Sequence, residues 1–370
     1  MVDVKTILTE AIKQSSSDVH INVGLPPILR KNTDLVDMDF PVVTNEHAKE
    51  MVLAMLGAER FKKFETIRDA DFSTMLDDGH RFRVNAHYQR GTIAIAFRLI
   101  PNQIPSIDDL HLAPIVRDLT DLPRGLVLVT GHTGAGKSTT LASMLGVINA
   151  KYRKHIITLE DPIEYALENK MCIIEQREIG FDCPSFGAAL KRVLRQDPDI
   201  IMVGEMRDLE TTRSTVTAAE TGHLVFSTLH TINAAQTIER IIDIYPAGQQ
   251  NQIRTMLANT LQAVISQTLF RRVDQPGMIP CTEILLCTSA VRNCIRENRI
   301  YEIANIIETS RKFGMHTMDH GIADIYFKGY IGRDEAIARS SNPSKMEKVL
   351  KPLDRNDEVG SRQAVAAVLE

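Results

Sequence analysis

The sequence contains no tryptophan, and aromatic residues fill only 5% of its 370 positions. So few aromatics leave no obvious stacking platform of the kind single-stranded nucleic acid favours. Cysteines number five, an odd count, and no Cys-x-x-Cys occurs. That argues against a disulfide framework and against a four-cysteine zinc site. No apolar run approaches the ~18 residues that a membrane span needs. The opening Met1-Val-Asp-Val-Lys-Thr-Ile lacks the shape of a signal peptide. A formal charge of −4 with a pI near 6.3 exerts no overall pull on nucleic acid. These absences predict a cytoplasmic protein that meets membranes only through partners. What remains is an ordinary globular composition, 44% hydrophobic and 24% charged. The length suggests about two or three domains, and no internal repeat or low-complexity tract interrupts them.

The most informative stretch is Gly125-Leu-Val-Leu-Val-Thr-Gly-His-Thr-Gly-Ala-Gly-Lys-Ser-Thr-Thr-Leu141. An apolar run at 126–129 reads as a buried strand. Gly131-His-Thr-Gly-Ala-Gly-Lys137-Ser138 then fits the G-x-x-x-x-G-K-[ST] spacing without a mismatch, and helical spacing follows. In that context the backbone N–H groups of Gly131, Thr133, Gly134, Ala135 and Gly136 can curl around phosphate oxygens. The new helix adds its dipole to the same anion. Lys137 is expected to reach the β- and γ-phosphates, Ser138 to place its hydroxyl on Mg²⁺, and Thr139 to line the nucleotide.

Three later stretches carry candidate chemistry. In Thr158-Leu-Glu160-Asp-Pro-Ile-Glu164, carboxylates gather past a strand end. They suit Mg²⁺ and the positioning of water, which call for hard oxygen ligands; an acidic surface turn is the bland alternative. In Ile200-Ile-Met-Val-Gly-Glu205-Met-Arg-Asp208, an apolar strand ends in acid. Gly204 stands where many ATPases place an Mg²⁺-holding Asp, so metal help is assigned to Glu160 or Glu164 and water activation to Glu205. His223 and His230 flank the strand at 224–228 and are expected beside the γ-phosphate, to sense it or to pass a proton. Earlier in the chain, Arg81-Phe-Arg-Val-Asn-Ala-His-Tyr88 alternates strictly. Phe82, Val84 and Ala86 face one way, Arg81 and Arg83 the other. The two arginines are either a phosphate clamp or a solvated face.

The pattern predicts an α/β chain. An α+β domain occupies 1–99, with helices over 4–14, 44–56 and 58–65. A proline-containing linker follows at 100–106. Strands at 126–129, 156–159, 172–174, 200–203 and 224–228 alternate with helices at 136–150, 185–195 and 208–220, which argues for a mostly parallel sheet covered by helices. A long helix is read over 247–270, then a strand at 278–286 and helices to about 339. The segment 340–370 reads as a polar tail with a weak helical pattern at 362–369.

Together, the glycine loop, Glu160-Asp-Pro-Ile-Glu164, Gly204-Glu205-Met-Arg-Asp and Thr228-Leu-His-Thr231 resemble the secretion-type ATPase superfamily. Ser17-Asp-Val-His20 and Gly24-Leu-Pro-Pro27 extend the likeness to nearly the whole chain. It is most similar to the PilT-type retraction ATPases of type IV pili, which lack an extra N-terminal domain and a zinc insertion. Ala290-Val-Arg-Asn-Cys-Ile-Arg-Glu297 is similar to that family's Ala-Ile-Arg-Asn-Leu-Ile-Arg-Glu, with Val291 and Cys294 departing from it. The resemblance implies a PAS-like N-terminal domain, a RecA-like ATPase domain and a homohexamer at the inner face of the cytoplasmic membrane. It implies that ATP and Mg²⁺ drive pilus retraction and twitching motility against an inner-membrane platform protein. It further implies that Arg81 and Arg83 face the nucleotide, and that Arg292 and Arg296 transmit force. The rivals are a paralogue assisting a main retraction motor, an assembly or type II secretion ATPase, a nucleic-acid translocase, and a ring that does not hydrolyse. Missing zinc cysteines weigh against the second, and charge and aromatic content against the third. The acidic set weighs against the last.

Overall fold

A computed structural model describes residues 3–31, 34–100 and 103–350. They fall into two compact units. The first comprises Met1–Ile104 with Leu159–Glu168 and Gln176–Ser185; the second comprises Pro105–Thr158, Asn169–Glu175 and Phe186–Glu370.

The first unit carries β1 (Asp18–Asn22), β2 (Ile28–Lys31), β3 (Asp34–Asp37), β4 (Asp69–Met75), β5 (Arg81–Gln89) and β6 (Thr92–Ile100). Their order is β3-β2-β1-β6-β5-β4, and every pair is antiparallel. Two helices, Val4–Lys13 and Asn45–Ile67, bury one face of this sheet. Ile7, Leu8, Val52 and Phe64 pack there against Val19, Phe82, Val84, Ile95 and Phe97. The second helix spans both helices expected over 44–65. It is kinked at Gly57, whose φ of +74° takes it out of the helical region. The residues that alternate with this core, Asp18, Arg81, Arg83 and Arg98, lie on the opposite sheet face.

The second sheet contains β7 (Gly125–Thr130), β8 (His155–Glu160), β9 (Ile173–Glu178), β10 (Ile200–Val203), β11 (Leu224–Leu229), β12 (Leu261–Arg271) and β13 (Met278–Leu286). The order is β13-β12-β7-β11-β10-β8-β9. Strands β12, β7, β11 and β10 run parallel, and β13 is antiparallel to β12. Every residue of β7, β10 and β11 is buried. That is why these strands read as continuous apolar runs rather than alternating ones.

The α/β class stands, but several elements differ from their sequence reading. The long helix expected over 247–270 is a helix only over Gln250–Thr260, and its second half is β12. Leu261, Ala263, Val264, Ile265 and Phe270 are all buried because β12 lies between β7 and β13. An apolar run covered on both faces satisfies helical spacing as well as strand spacing. The strand expected at 172–174 extends instead over Ile173–Glu178. The polar tail does not begin at 340: Pro343–Val349 forms a helix capped by Asn342, and Met346 and Leu350 enter the hydrophobic core. The helical pattern at 362–369 and part of the linker at 100–106 lie outside the described residues.

Candidate functional site

The glycine loop leaves the carboxyl end of β7 and opens directly into the helix Lys137–Lys151. Gly136 occupies the N-cap with φ +82° and supplies no side-chain cap, so N–H groups of the first turn are left for an incoming acceptor. Lys137 is buried, and its ammonium donates to the carbonyls of Gly131 at 2.8 Å and His132 at 3.0 Å. Ala135 is fully buried, Thr133 and Gly134 are exposed, and Ser138 and Thr139 are half-buried in the first turn.

A residue that sequence reasoning missed holds this loop in shape. Gln267, 3% exposed on β12, donates from Nε2 to the Ala135 carbonyl at 2.6 Å and accepts from Thr140 Oγ1 at 2.8 Å. Its own carbonyl crowds Gly131, where an added Cβ would stand 2.3 Å away. Only glycine fits that close approach. Next along β12, Thr268 Oγ1 lies 3.3 Å from His132 Nε2 and accepts from Arg339 Nη2 at 2.7 Å. These residues border a cavity of about 740 Å³ beside the loop.

One strand pair away, Glu205 follows β10 and His230 follows β11. The parallel register Val203↔Ser227 puts both on the carboxyl edge that carries the loop. Glu205 accepts from Arg207 Nη2 at 2.7 Å and lies 3.1 Å from His230 Nε2. Its side chain is 13% exposed, enclosed but reachable. His223 is elsewhere, which corrects its expected place beside the γ-phosphate. It precedes β11, its carbonyl accepts from Gly125 N at the start of β7, and its ring bonds the Ala218 carbonyl at 2.9 Å. Seven residues of extended chain separate it from His230, about 23 Å at strand rise. Within one chain it belongs to the amino edge of the sheet.

In the first unit, Glu160 ends β8 and is buried, receiving Gln176 Nε2 at 2.9 Å. Gln176 also donates to the Tyr165 carbonyl and accepts from Leu167 N, so this one amide shapes the acidic turn. Glu164 is half-buried in that turn. Arg81 is half-buried and Arg83 exposed on the uncovered face of β5. Arg98 of β6, unremarked in the sequence, stands directly opposite Arg83. Like charges in that register repel and favour an anion between them, and Asp18 relieves the strain by accepting from Arg98 Nε at 2.8 Å. Burial would push Asp18 up, but hydrogen bonds from Ser17 and Arg98 prevail and hold it below the usual carboxylate value.

Arg292 and Arg296 lie on the helix Ser289–Arg296, which starts after Thr288. Arg296 is exposed. Arg292 is not a free surface charge: it donates to the carbonyls of Ala258 and Asn259 and to Gln262 Oε1, closing the end of the helix Gln250–Thr260.

A glycine loop and an acidic group at the carboxyl edge of a mostly parallel sheet are the arrangement of a nucleotide-binding α/β protein. A family model described as "Type II/IV secretion system protein" matches residues 81–335. The chain belongs to this family, and its relatives place it on the PilT-type branch. It is 42% identical over 342 residues to the Pseudomonas aeruginosa protein "Type IV pilus retractation ATPase PilT", covering 92% of this chain and 99% of that one. To the same organism's "Type IV pilus ATPase PilU" it is 35% identical over 350 residues, with 95% and 92% covered. The crystal structure of the pilus retraction motor PilT with bound ADP superposes with a TM-score of 0.86 at 41% identity, covering 94% of this chain and all of that one. The Legionella pneumophila ATPase DotB gives a TM-score of 0.80 at 26% identity, with 90% and 93% covered. Among the described residues, no helix is long and apolar enough to cross a membrane.

Proposed function

We propose that this chain is a hexameric motor that hydrolyses ATP to drive type IV pilus retraction, working against a platform protein of the inner membrane. The observation that carries the reading is the end-to-end match to PilT, 99% of that relative at 42% identity. In this reading the glycine loop and Lys137 bind the β- and γ-phosphates, and Arg81 and Arg83 grip phosphate oxygens. Glu205 takes the proton of the attacking water, with His230 orienting the carboxylate it touches. The donor set fits Mg²⁺, which takes hard oxygens and shares its shell with substrate phosphates rather than needing a protein cage. Ser138 would give the ion its hydroxyl, Glu160 or Glu164 is the carboxylate the sequence offers for it, and the ion would neutralise charge on the transferring phosphoryl group. Arg296 passes motion to the partner.

The test is deletion of the gene in its host. Pili that persist but fail to retract are the expected result, with rescue by the parent chain and none by Lys137→Ala. Normal retraction in the deletion strain would overturn the reading. A second reading, an ATPase that assists a main retraction motor, is favoured by Val291 and Cys294, which depart from the family pattern. It would leave retraction slowed rather than lost.

A further inference from the structure

We infer that Glu178 is a positioning residue for Arg81, acting through Ser73, and that the same carboxylate fixes the acidic turn that carries Glu164. The inference rests on the reading of Arg81 as a phosphate-gripping arginine. All the groups involved lie within the first unit.

Glu178 ends β9 and is 4% exposed. A carboxylate so enclosed requires hydrogen-bond donors. Ser73 N–H reaches Oε1 at 3.1 Å, and Oε2 takes both the Ser73 hydroxyl at 2.8 Å and Ile163 N–H at 3.2 Å. Among the described residues, the donors that reach this carboxylate are two backbone N–H groups and a hydroxyl. The donors are all neutral, and their directions are therefore set by the carboxylate.

The hydroxyl of Ser73 has a single proton. Donating it to Glu178 leaves the oxygen's lone pairs to accept, and Arg81 Nη2 donates to that oxygen at 2.9 Å. Arg81 is thus anchored by one corner. Its Nε is buried and has no hydrogen-bond partner. Held through Nη2, the guanidinium keeps its other N–H groups for a second acceptor, and a phosphate oxygen could reach those of the terminal nitrogens rather than the buried Nε. At the same time Ile163 N–H lies within the acidic turn, between Asp161 and Glu164. One oxygen of Glu178 therefore joins the arginine strand to the acidic turn, and both are fixed or released together.

Glu178→Gln keeps the volume and one acceptor. Whichever way its amide lies, the NH₂ group faces a backbone N–H: that of Ser73 if the oxygen stays between the Ser73 hydroxyl and Ile163, that of Ile163 if it does not. Either way Ser73 is pushed from its place, and the contact of its oxygen with Arg81 is loosened. In the full-length assembled enzyme, kcat for ATP is expected to fall ~10- to 100-fold, the scale of a misplaced catalytic group. The melting temperature should fall, because one buried N–H now faces an NH₂ group, so turnover is compared at a temperature where both proteins are folded, and nucleotide affinity should fall less than turnover does. In an Arg81→Lys background the same change should cost less than about a further twofold, because the two act as one unit. Ser73→Ala, which removes the relay but leaves the carboxylate and Ile163 in place, is expected to show the same loss and the same non-additivity. It serves as the deciding variant should Glu178→Gln not fold. If Arg81→Lys lowers turnover while the Glu178 or Ser73 change is silent, or multiplies independently, the inference falls and the arginine reading survives. If Arg81→Lys alone keeps full activity, the arginine reading falls and takes the inference with it.

Discussion

Gln267 offers a direct test of how the glycine loop is held. Replacing it with leucine keeps most of its volume but removes the donor to Ala135 and the acceptor for Thr140. Thr140 can turn back to a carbonyl one helical turn earlier, so its hydroxyl need not stay unpaired. The Ala135 carbonyl has no such escape, because the residue is fully buried. Losing one hydrogen bond and leaving a buried acceptor bare costs about 2 kcal/mol together. The loop can evade that cost by opening to water, and an open loop must be closed again before it can surround a phosphate. The cost then appears in nucleotide affinity, where ~2 kcal/mol is ~30-fold in Kd. Gln267→Glu should be worse, since its second oxygen faces the Ala135 carbonyl and meets an incoming anion with like charge. Calorimetric titration with ADP, beside a melting curve for each variant, reads the two effects separately. The expected order of affinity is parent, Leu, Glu. Affinity for ADP within about threefold of the parent in the leucine variant, whatever its melting temperature, would refute the reasoning.

Three further outcomes follow from the site and its supports. Glu205→Gln keeps the shape of the edge but cannot take a proton, so ATP should still bind while turnover falls ~10²–10⁴-fold; turnover within a few-fold of the parent would move the base to Glu160 or Glu164. Burial holds His316 below the ordinary imidazole value, and hydrogen bonds at Thr282 and Gly314 offset only part of this. The unfolded chain therefore takes up a proton that the folded chain resists, so stability is fully present above about pH 6.5 and is lost as pH falls below it. The melting-temperature gap between the parent and His316→Gln should narrow over that descent, and a constant gap would contradict the assignment. Arg292→Ala should lower the melting temperature, because two carbonyls at the end of a helix and the Gln262 side chain on β12 lose a charged donor. Arg296→Ala should leave folding and hydrolysis intact yet fail to support retraction in cells; an unchanged melting temperature for the first, or normal motility for the second, would count against its role.

What the sequence made legible is what neighbouring residues decide. The alternation at 81–88 separated Phe82, Val84 and Ala86 from Arg81 and Arg83, and burial follows that division because a pleated strand has only two faces. The glycine loop was legible for a similar reason. Its strand, turn and helix are contiguous, and each residue type has a local job. The second half of 247–270 was not legible. Leu261, Val264, Ile265 and Phe270 fit helical spacing, and only the presence of β7 and β13 on either side makes that run a strand.

The residues that support the site were hidden for a different reason. Gln267 meets Ala135 across 132 positions, and Ser73 meets Glu178 across 105. A lone Gln or Glu in an unremarkable stretch gives no sign that its partner is a carbonyl or a hydroxyl so far away. His223 and His230 show the converse. Their place on either side of one strand suggested a pair, but a strand between them carries the chain across the sheet and puts them on opposite edges. Arg292 lies between the two cases. Its helix and apolar stripe were readable, and Val291, Cys294 and Ile295 are buried as the spacing requires. Its three acceptors belong to the joint where the helix Gln250–Thr260 becomes β12, a boundary the sequence reading did not contain. An arginine expected to transmit force is therefore also one that fixes the start of the strand from which Gln267 reaches the glycine loop.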